Sequence, residues 1–161
     1  MKQEIGDTGL WVGDRPAGQT CVRDNDWAVV NTSKVLHAQL VGVPQNQLKR
    51  TSHYLRLERE GLLSFNMIDG EARYFQMLGP EAFVDSLDFI DHWRGTRAVL
   101  VNCDRGMSRS PTVAMLYLAK RLHLLPDASF VEALLAFRRL YPNYDPGGVG
   151  KFVSMHWASI L

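Results

Sequence analysis

The 161-residue sequence contains only two cysteines, Cys21 and Cys103, and no long hydrophobic run. A membrane-spanning helix needs roughly 18 to 20 consecutive apolar residues, and the N-terminal Met-Lys-Gln-Glu-Ile-Gly lacks the apolar region of a signal peptide. We therefore expect a soluble, cytoplasmic protein without membrane association. A structural disulfide is not expected in that compartment. Cys21 is expected to be an ordinary structural residue, with a redox partnership with Cys103 as the alternative.

An excess of charge and a metal-ligand pattern are also absent. The formal net charge is +1, which gives no general attraction to nucleic acid or to an anionic membrane. The five histidines are not spaced with cysteine or acidic residues as metal ligands are, so no metal and no other cofactor is expected. No repeat or Gly/Ser-rich linker divides the chain, and 46% of the residues are hydrophobic. Residues 1–161 are therefore expected to form a single domain.

The most informative segment is 101–111, with the sequence Val-Asn-Cys-Asp-Arg-Gly-Met-Ser-Arg-Ser-Pro. The apolar run 97–102 predicts a buried strand that ends just before Cys103. Ser110, followed by proline and a long apolar stretch, is typical of a helix start and is expected to cap the helix. Cys103 is thus expected at the end of a strand, and Arg109 at the beginning of a helix.

The loop between that strand and helix is suited to binding an oxyanion. Its backbone N–H groups can turn inward, because Gly106 is free to adopt a positive φ. Inward amides and the helix dipole favour negative charge, so they attract phosphate and favour the thiolate form of Cys103. The Arg109 guanidinium matches two oxygens of a phosphoryl group, and Ser110 is able to donate to the Cys103 sulfur. The expected phosphate-binding residues are Asp104, Arg105, Gly106, Met107, Ser108 and Arg109.

The Cys-x5-Arg-Ser-Pro sequence that begins at Cys103 resembles the signature loop of the cysteine-dependent protein tyrosine phosphatase superfamily, and most of all its compact, atypical dual-specificity branch. The resemblance extends from about Gly9 to the C-terminus. It implies that Cys103 is a nucleophile forming a cysteinyl-phosphate intermediate. It also implies that Arg109 binds the phosphate and the transition state, and that Ser110 makes the sulfur a better leaving group.

The sequence departs from the family's pattern in two places. The family has histidine immediately before the cysteine, whereas this chain has the supporting residue Asn102. Asparagine carries no charge and is expected to hydrogen-bond neighbouring backbone groups, so the thiolate of Cys103 is expected to be less favoured than in relatives. Residues 142–143 resemble the family's Pro-Asn, but Tyr-Asp-Pro-Gly at 144–147 replaces the Gly-Phe that follows there, so a different local backbone is expected.

Phosphoryl transfer to water also needs an acid, because an alkoxide is a poor leaving group. The family has an aspartate upstream of the cysteine, on a loop after a strand and before a helix. The strand-like run 62–68 ends at Asp69, which is therefore the expected general acid and, as a carboxylate, the base that activates water. The side chain of Asp104 is expected to point to solvent. The other acidic candidates, expected to be solvated on a helix, are Asp85, Asp88 and Asp91.

The patterns together predict an α/β fold of the phosphotyrosine-phosphatase, dual-specificity type, with a central, mostly parallel sheet of about four or five strands flanked by helices. The predicted strands lie near 11–13, 27–31, 62–68 and 97–102, and the predicted helices span 80–94, 111–125 and 129–141. A further amphipathic pattern runs from Val149 to Ile160. The segment 46–60 is compatible with either a short helix or an irregular excursion.

The implied function is hydrolysis of phosphotyrosine and phosphoserine/threonine, with a phosphorylated protein as substrate. A phosphoinositide or RNA 5′-phosphatase using the same site stays open, and so does a non-catalytic phosphoprotein-binding pseudophosphatase, which Asn102 suggests. A sulfurtransferase is disfavoured because it has no use for Asp69. Lys34 and Arg73 are candidates for contacting groups that flank the phosphate, and His37 is either a residue of the phosphate mouth or a bystander.

Overall fold

The computed structural model describes residues 1–161 and contains one six-stranded sheet. Its strands are β1 (Lys2–Glu4), β2 (Leu10–Gly13), β3 (Trp27–Asn31), β4 (Arg56–Arg59), β5 (Leu62–Phe65) and β6 (Ala98–Asn102). The spatial order is β1-β2-β6-β3-β5-β4. The three inner pairings are parallel, and the two outer pairings are antiparallel. The α/β class and the mostly parallel sheet are confirmed, although the sheet has more strands than the predicted four or five.

The two additional strands are the edges of the sheet. β1 has the polar sequence Lys-Gln-Glu, and only Leu57 of β4 is buried, so neither strand contains the apolar run that indicates a strand in a sequence. β4 lies in the segment that the sequence left undecided, after a 3-10 helix at Gln45–Arg50. The central strands β3 and β6 are covered on both faces and are nearly continuous apolar runs, as expected of buried parallel strands.

Six α-helices and two further 3-10 helices complete the fold. The α-helices are α1 (Arg15–Cys21), α2 (Lys34–Val41), α3 (Glu81–Trp93), α4 (Arg109–Lys120), α5 (Phe130–Leu140) and α6 (Gly147–Met155), and the 3-10 helices span Ala72–Phe75 and Trp157–Ser159. Helices α3 and α5 confirm the predicted spans. Helix α4 begins earlier than predicted and ends sooner. None of these helices combines the length and hydrophobicity that crossing a bilayer would need.

The helices lie on both faces of the sheet. Helices α1 and α2 cover one face, over a small cluster in which Cys21 packs with Val29, Leu62 and Leu100. Cys21 and Cys103 are both free thiols, and burial raises the pKa of the Cys21 thiol. Helices α3 to α6 enclose the main core of 34 residues on the other face. Every residue of α4 from Arg109 to Ala119 is buried, so the start of this helix is firmly held beside β6.

Candidate active site

The carboxyl ends of three parallel strands meet at one edge of the sheet and place Cys103. In the sheet register, Asn102 of β6 lies beside Gly13 of β2 on one side and Asn31 of β3 on the other. The Cys103 N–H donates to the Gly13 carbonyl (3.2 Å), and the Thr32 N–H donates to the Asn102 carbonyl (2.8 Å). Both neighbouring strands therefore hold the backbone from which the cysteine projects.

The sulfur of Cys103 lies at the floor of the loop and is 2% exposed. The Gly106 N–H donates to it (3.2 Å), and the Ser110 hydroxyl lies 3.1 Å away. Gly106 has a φ of +71°, and a Cβ there would lie 3.1 Å from the Gly13 carbonyl oxygen, so the turn requires glycine. Ser110 was expected to cap α4, but this is wrong. The helix begins at Arg109, two residues earlier than predicted, so Ser110 lies within the helix and its hydroxyl contacts the sulfur.

Arg109 is 3% exposed, and its guanidinium is held from several directions. Its Nη1 donates to the carbonyls of Thr32 (3.0 Å) and Met67 (2.7 Å), and its Nη2 donates to Asp104 Oδ2 (3.1 Å). Its Nε is buried and has no hydrogen-bond partner. A buried N–H without a partner is costly. The three hydrogen bonds therefore orient the Arg109 guanidinium, and its Nε–H is left to donate to a ligand.

The prediction that Asp104 points to solvent is wrong. Its carboxylate accepts from the Ser33 hydroxyl (2.5 Å) and from Arg109, and it lies 3.5 Å from an Arg15 nitrogen. Burial raises the pKa of the Asp104 carboxyl, but the Ser33 hydrogen bond and the Arg109 charge outweigh burial and leave the pKa below its ordinary value. Asp104 is thus an anion fixed beside Arg109. No local pattern reveals that Ser33 faces the loop.

A buried polar network lies behind the loop. The Asn102 amide donates to Asn31 Oδ1 (3.0 Å), and the Asn31 amide donates to the Ser64 hydroxyl (2.9 Å). His37 Nδ1 lies 2.7 Å from Ser64 Oγ, and its Nε2 lies 2.8 Å from the His53 carbonyl oxygen. Burial lowers the pKa of His37, so the neutral imidazole accepts from Ser64 and donates to His53. His37 is therefore part of this network and does not line the mouth.

The side chain of Asn102 bonds a side chain, not the neighbouring backbone as expected. A Cβ on Gly18 of α1 would lie 2.5 Å from the Asn102 amide carbon, so the helix backbone packs directly on this side chain. The Asn102 side chain is therefore closely packed on the α1 side, and its Oδ1 is buried without a hydrogen-bond partner.

A cavity of about 350 Å³ lies above the sulfur. It is lined by Asp69, Cys103, Asp104, Arg105, Met107, Ser108, Arg109 and Asp145. Asp69 is exposed, and its Oδ1 accepts from the N–H of the adjacent Gly70 (3.0 Å). The structure thus brings the predicted Asp69 to the same cavity as Cys103 and Arg109. Arg73, exposed and paired with Glu71 (2.6 Å), lies outside that cavity.

Asp145 is a lining residue that sequence reasoning did not identify. Its backbone N–H donates to the Met107 carbonyl (2.8 Å), and the Ser108 hydroxyl donates to the Pro146 carbonyl (3.1 Å). Two hydrogen bonds therefore join the segment after α5 to the loop that follows Cys103. The departure of residues 144–147 from the family pattern was the signal available in the sequence, although it did not indicate a role for the carboxylate.

Two tyrosines near that segment hold the outer side of the loop. Tyr141 Oη donates to the Gly106 carbonyl (2.6 Å), and burial, followed by the nearby Cys103, raises the pKa of Tyr141 to about 12. Tyr144 Oη lies 2.6 Å from Thr112 Oγ1, which itself donates to the Ser108 carbonyl (2.7 Å). Burial also raises the pKa of Tyr144. Both hydroxyls are therefore neutral donors that support the loop.

The loop that carries Asp69 packs on the N-terminus of α6. A Cβ on Gly148 would overlap the Gly70 carbonyl oxygen and would lie 2.7 Å from the Glu71 carbonyl carbon. Backbone therefore meets backbone at this contact, and only glycine fits. The position of Asp69, one residue before Gly70, depends on α6.

Comparison with protein-family models and with curated sequences gives no match. Several solved structures are similar to this chain. The Yvh1 phosphatase domain from Chaetomium thermophilum has a TM-score of 0.63 and 20% identity, over 98% of this chain and 95% of that chain. PTPMT1 in complex with PI(5)P has a TM-score of 0.59 and 14% identity, over 99% of this chain and 96% of that chain. The human tyrosine phosphatase-like serine/threonine/tyrosine-interacting protein has a TM-score of 0.54 and 17% identity, over 99% and 96%.

These likenesses show the fold. The chain has the α/β fold of the tyrosine and dual-specificity phosphatases, as the resemblance of its loop implied. In this chain, Cys103 follows β6 directly, as the sequence motif predicted, and α4 begins at Arg109.

Proposed function

We propose that residues 1–161 act as one catalytic domain, a cysteine-dependent phosphatase that removes phosphate from phosphotyrosine and phosphoserine/threonine in proteins. One observation carries the proposal. Cys103, Arg109 and Asp69 all line one cavity, and the buried Nε of Arg109 has no hydrogen-bond partner. Several of the similar structures are of phosphatases, which supports a phosphatase over other oxyanion-binding proteins.

In the first half-reaction, the loop N–H groups and Arg109 bind the phosphoryl oxygens. The Cys103 thiolate attacks phosphorus, forming the S–P bond as the P–O bond to the substrate breaks. Asp69, in its protonated form, donates its proton to the departing oxygen. The dipole at the start of α4 and the Arg109 fork stabilise the charge that spreads over the phosphoryl oxygens.

In the second half-reaction, water attacks the cysteinyl phosphate. Asp69, now a carboxylate, takes a proton from that water, and the S–P bond breaks to release inorganic phosphate. The sulfur departs as a thiolate. The Ser110 hydroxyl, 3.1 Å from Cys103 Sγ, and the Gly106 N–H stabilise the negative sulfur and restore the starting state.

A protein substrate is favoured by the charges around the cavity. The loop has no lysine, and the three acidic residues that line the cavity, Asp69, Asp104 and Asp145, outnumber its two arginines, Arg105 and Arg109. A polyanionic lipid headgroup would bring further phosphates close to these anions. PTPMT1 was solved with PI(5)P, so the phosphoinositide reaction is the second candidate. The rate of phosphate release from a soluble inositol phosphate, compared with that from a phosphopeptide, decides between the two.

The test is hydrolysis of 4-nitrophenyl phosphate and a phosphoserine peptide by the wild type, Cys103→Ser and Asp69→Asn. We expect Cys103→Ser to lose turnover while it still binds vanadate. Asp69→Asn is expected to slow the phosphoserine reaction by about 10²- to 10⁴-fold, the usual contribution of a general acid, and the nitrophenyl reaction less, because nitrophenolate leaves without a proton. Cys21→Ser is the matched control and should keep its turnover, since Cys21 is the last residue of α1 and packs in a separate cluster.

Wild-type rates in Cys103→Ser would show that the mechanism is wrong. A wild-type protein that binds phosphopeptides without releasing phosphate would instead be the non-catalytic binding module. Faster release of phosphate from a soluble inositol phosphate than from any phosphopeptide would select the phosphoinositide reaction.

A further inference from the structure

Asp145 is fixed at the mouth of the cavity through its backbone. Its N–H donates to the Met107 carbonyl (2.8 Å), and the carbonyl of the next residue, Pro146, accepts from the Ser108 hydroxyl (3.1 Å). The side chain itself is exposed and makes no salt bridge. A carboxylate is therefore presented beside the phosphate loop with no partner of its own.

No charged group of the cavity lining forms a salt bridge with Asp145. Asp104 and Arg109 are paired with each other (3.1 Å), Arg105 is exposed and forms no salt bridge, and Asp69 carries a proton when it acts as the acid. Arg109 lines the same cavity and its buried Nε has no partner, so we assign the phosphoryl group a place beside this guanidinium. Once that group is bound, Asp145 repels a second anion at the mouth and attracts a cation.

Exposed apolar side chains flank the two mouth carboxylates. Ile68, adjacent to Asp69, is 41% exposed, and Met107, whose carbonyl accepts from the Asp145 N–H, is 42% exposed. Apolar surface of this kind suits the ring of phosphotyrosine and the aliphatic stem of lysine or arginine, because these long side chains combine an apolar body with a charged end. It offers little to a polar sugar headgroup.

We infer that Asp145 is a specificity-determining residue, which makes the site prefer phosphopeptides with a basic residue next to the phosphorylated one. The inference rests on the proposed phosphatase function and names its substrate class. The carboxylate binds the neighbouring ammonium or guanidinium group at the surface of the mouth, outside the phosphoryl pocket. Acidic phosphopeptides and polyphosphorylated headgroups are disfavoured by the same charge.

The test uses three phosphotyrosine peptides that differ only in the residues flanking phosphotyrosine, which are lysine, alanine or glutamate. The readout is kcat/KM for each peptide, with 4-nitrophenyl phosphate turnover measured in parallel to report the active site. For the wild type we expect the lysine peptide to exceed the glutamate peptide by about fivefold, the size of one favourable surface ion pair. Added salt should reduce this ratio.

The same ratio is then measured in Asp145→Asn and Asp145→Lys. We expect the preference to fall toward equality in Asp145→Asn and to reverse in Asp145→Lys. Asp7→Asn is the matched control, because Asp7 is an exposed carboxylate in the turn between β1 and β2 and lies outside the cavity. It should keep the wild-type ratio.

An unchanged ratio in Asp145→Lys, with nitrophenyl phosphate still hydrolysed, would overturn the inference and leave the phosphatase function standing. Equal wild-type rates on all three peptides would do the same. A wild-type protein that hydrolyses neither nitrophenyl phosphate nor any peptide would instead overturn the proposed function itself.

Discussion

Arg109 and Asp69 line the same cavity but are held in opposite ways. Arg109 is 3% exposed, begins a helix that is buried as far as Ala119, and donates to two carbonyls and one carboxylate. Asp69 is exposed, and its carboxylate accepts only from the N–H of the next residue. The half of the site that we propose binds the oxyanion is therefore built into the core, whereas the half that we propose supplies the acid depends on the packing of one surface loop.

Because Arg109 is buried and Asp69 is exposed, we expect substitutions near the two residues to have different effects on catalysis. Changes that disturb the Arg109 half affect binding and transition-state stabilisation for every substrate. Changes that disturb the Asp69 half affect only substrates whose leaving group needs a proton. The two halves are thus separable by the choice of substrate, and the following experiments use that separation.

Arg109→Lys is expected to have the largest effect. The lysine ammonium group is a compact charge without the planar geometry of a guanidinium. It cannot donate to the Thr32 and Met67 carbonyls and also form two parallel hydrogen bonds with the phosphoryl oxygens. We expect kcat/KM for nitrophenyl phosphate and for a phosphoserine peptide to fall alike, by about 10²- to 10³-fold, as when a transition-state donor is removed. Arg73→Lys, at an exposed arginine outside the cavity, is the control and should match the wild type.

A loss of less than about tenfold in Arg109→Lys would mean that a simple positive charge suffices and that the oriented guanidinium is not needed. A loss confined to the phosphoserine peptide would contradict the separation of the two halves.

Gly148→Ala is expected to have an intermediate effect that depends on the substrate. The new Cβ would overlap the Gly70 carbonyl oxygen, so the loop that carries Asp69 must shift. A misplacement of about 1 Å can cost about 100-fold in rate, so we expect up to this loss in kcat for a phosphoserine peptide and a much smaller loss for nitrophenyl phosphate. Gly95→Ala is the control, because nothing lies within 4 Å of a Cβ at that position.

Equal losses on both substrates would indicate that Gly148→Ala damages the whole site, and the proposed dependence of Asp69 on α6 would then be abandoned. Unchanged kinetics on both substrates would show that the loop tolerates the displacement.

The smallest expected effect is on stability, in Asp104→Asn. The folded pKa of Asp104 lies below its ordinary value of 3.8, so its charged form stabilises the fold. That contribution is present above the ordinary pKa and is lost as the pH falls through the lowered folded value. The free energy of unfolding of the wild type should exceed that of Asp104→Asn at about pH 7, and the difference should shrink toward about pH 3.

Urea unfolding of both proteins across this range measures the difference directly. A gap that stays constant or widens on acidification would contradict the ionised Asp104 beside Arg109. Asp7→Asn, at a carboxylate without an ion pair, is the reference for the effect of removing a surface charge.

Several elements were predictable because their signals are local. The apolar run of β6 indicated a strand, Gly106 indicated a tight turn, and the proline after Ser110 indicated a helix start. The edge strands β1 and β4 were missed because most of their residues are exposed to solvent. A strand at the edge of a sheet therefore does not need the apolar run that indicates a strand in a sequence. Asp69, which lines the cavity, was predicted from its place after a strand together with the family resemblance.

Other features required groups that are far apart in the chain. Ser33 and Asp104 are 71 positions apart, and their hydrogen bond reverses the orientation expected for Asp104. Asn31 and Asn102 are also 71 positions apart, so neither their hydrogen bond nor the close packing of Gly18 on Asn102 is indicated by a local pattern.

The sequence by itself determined the strand before Cys103, the loop that we propose binds phosphate and the helix that follows it, because each depends on the backbone preferences and chemistry of residues only a few positions apart. The tertiary structure alone decided that Arg109 is oriented by Asp104, that Asp145 lies at the mouth and that Asp69 depends on Gly148. The physical reason is that these contacts join segments from different elements. Their geometry exists only once the sheet and its two layers of helices have assembled.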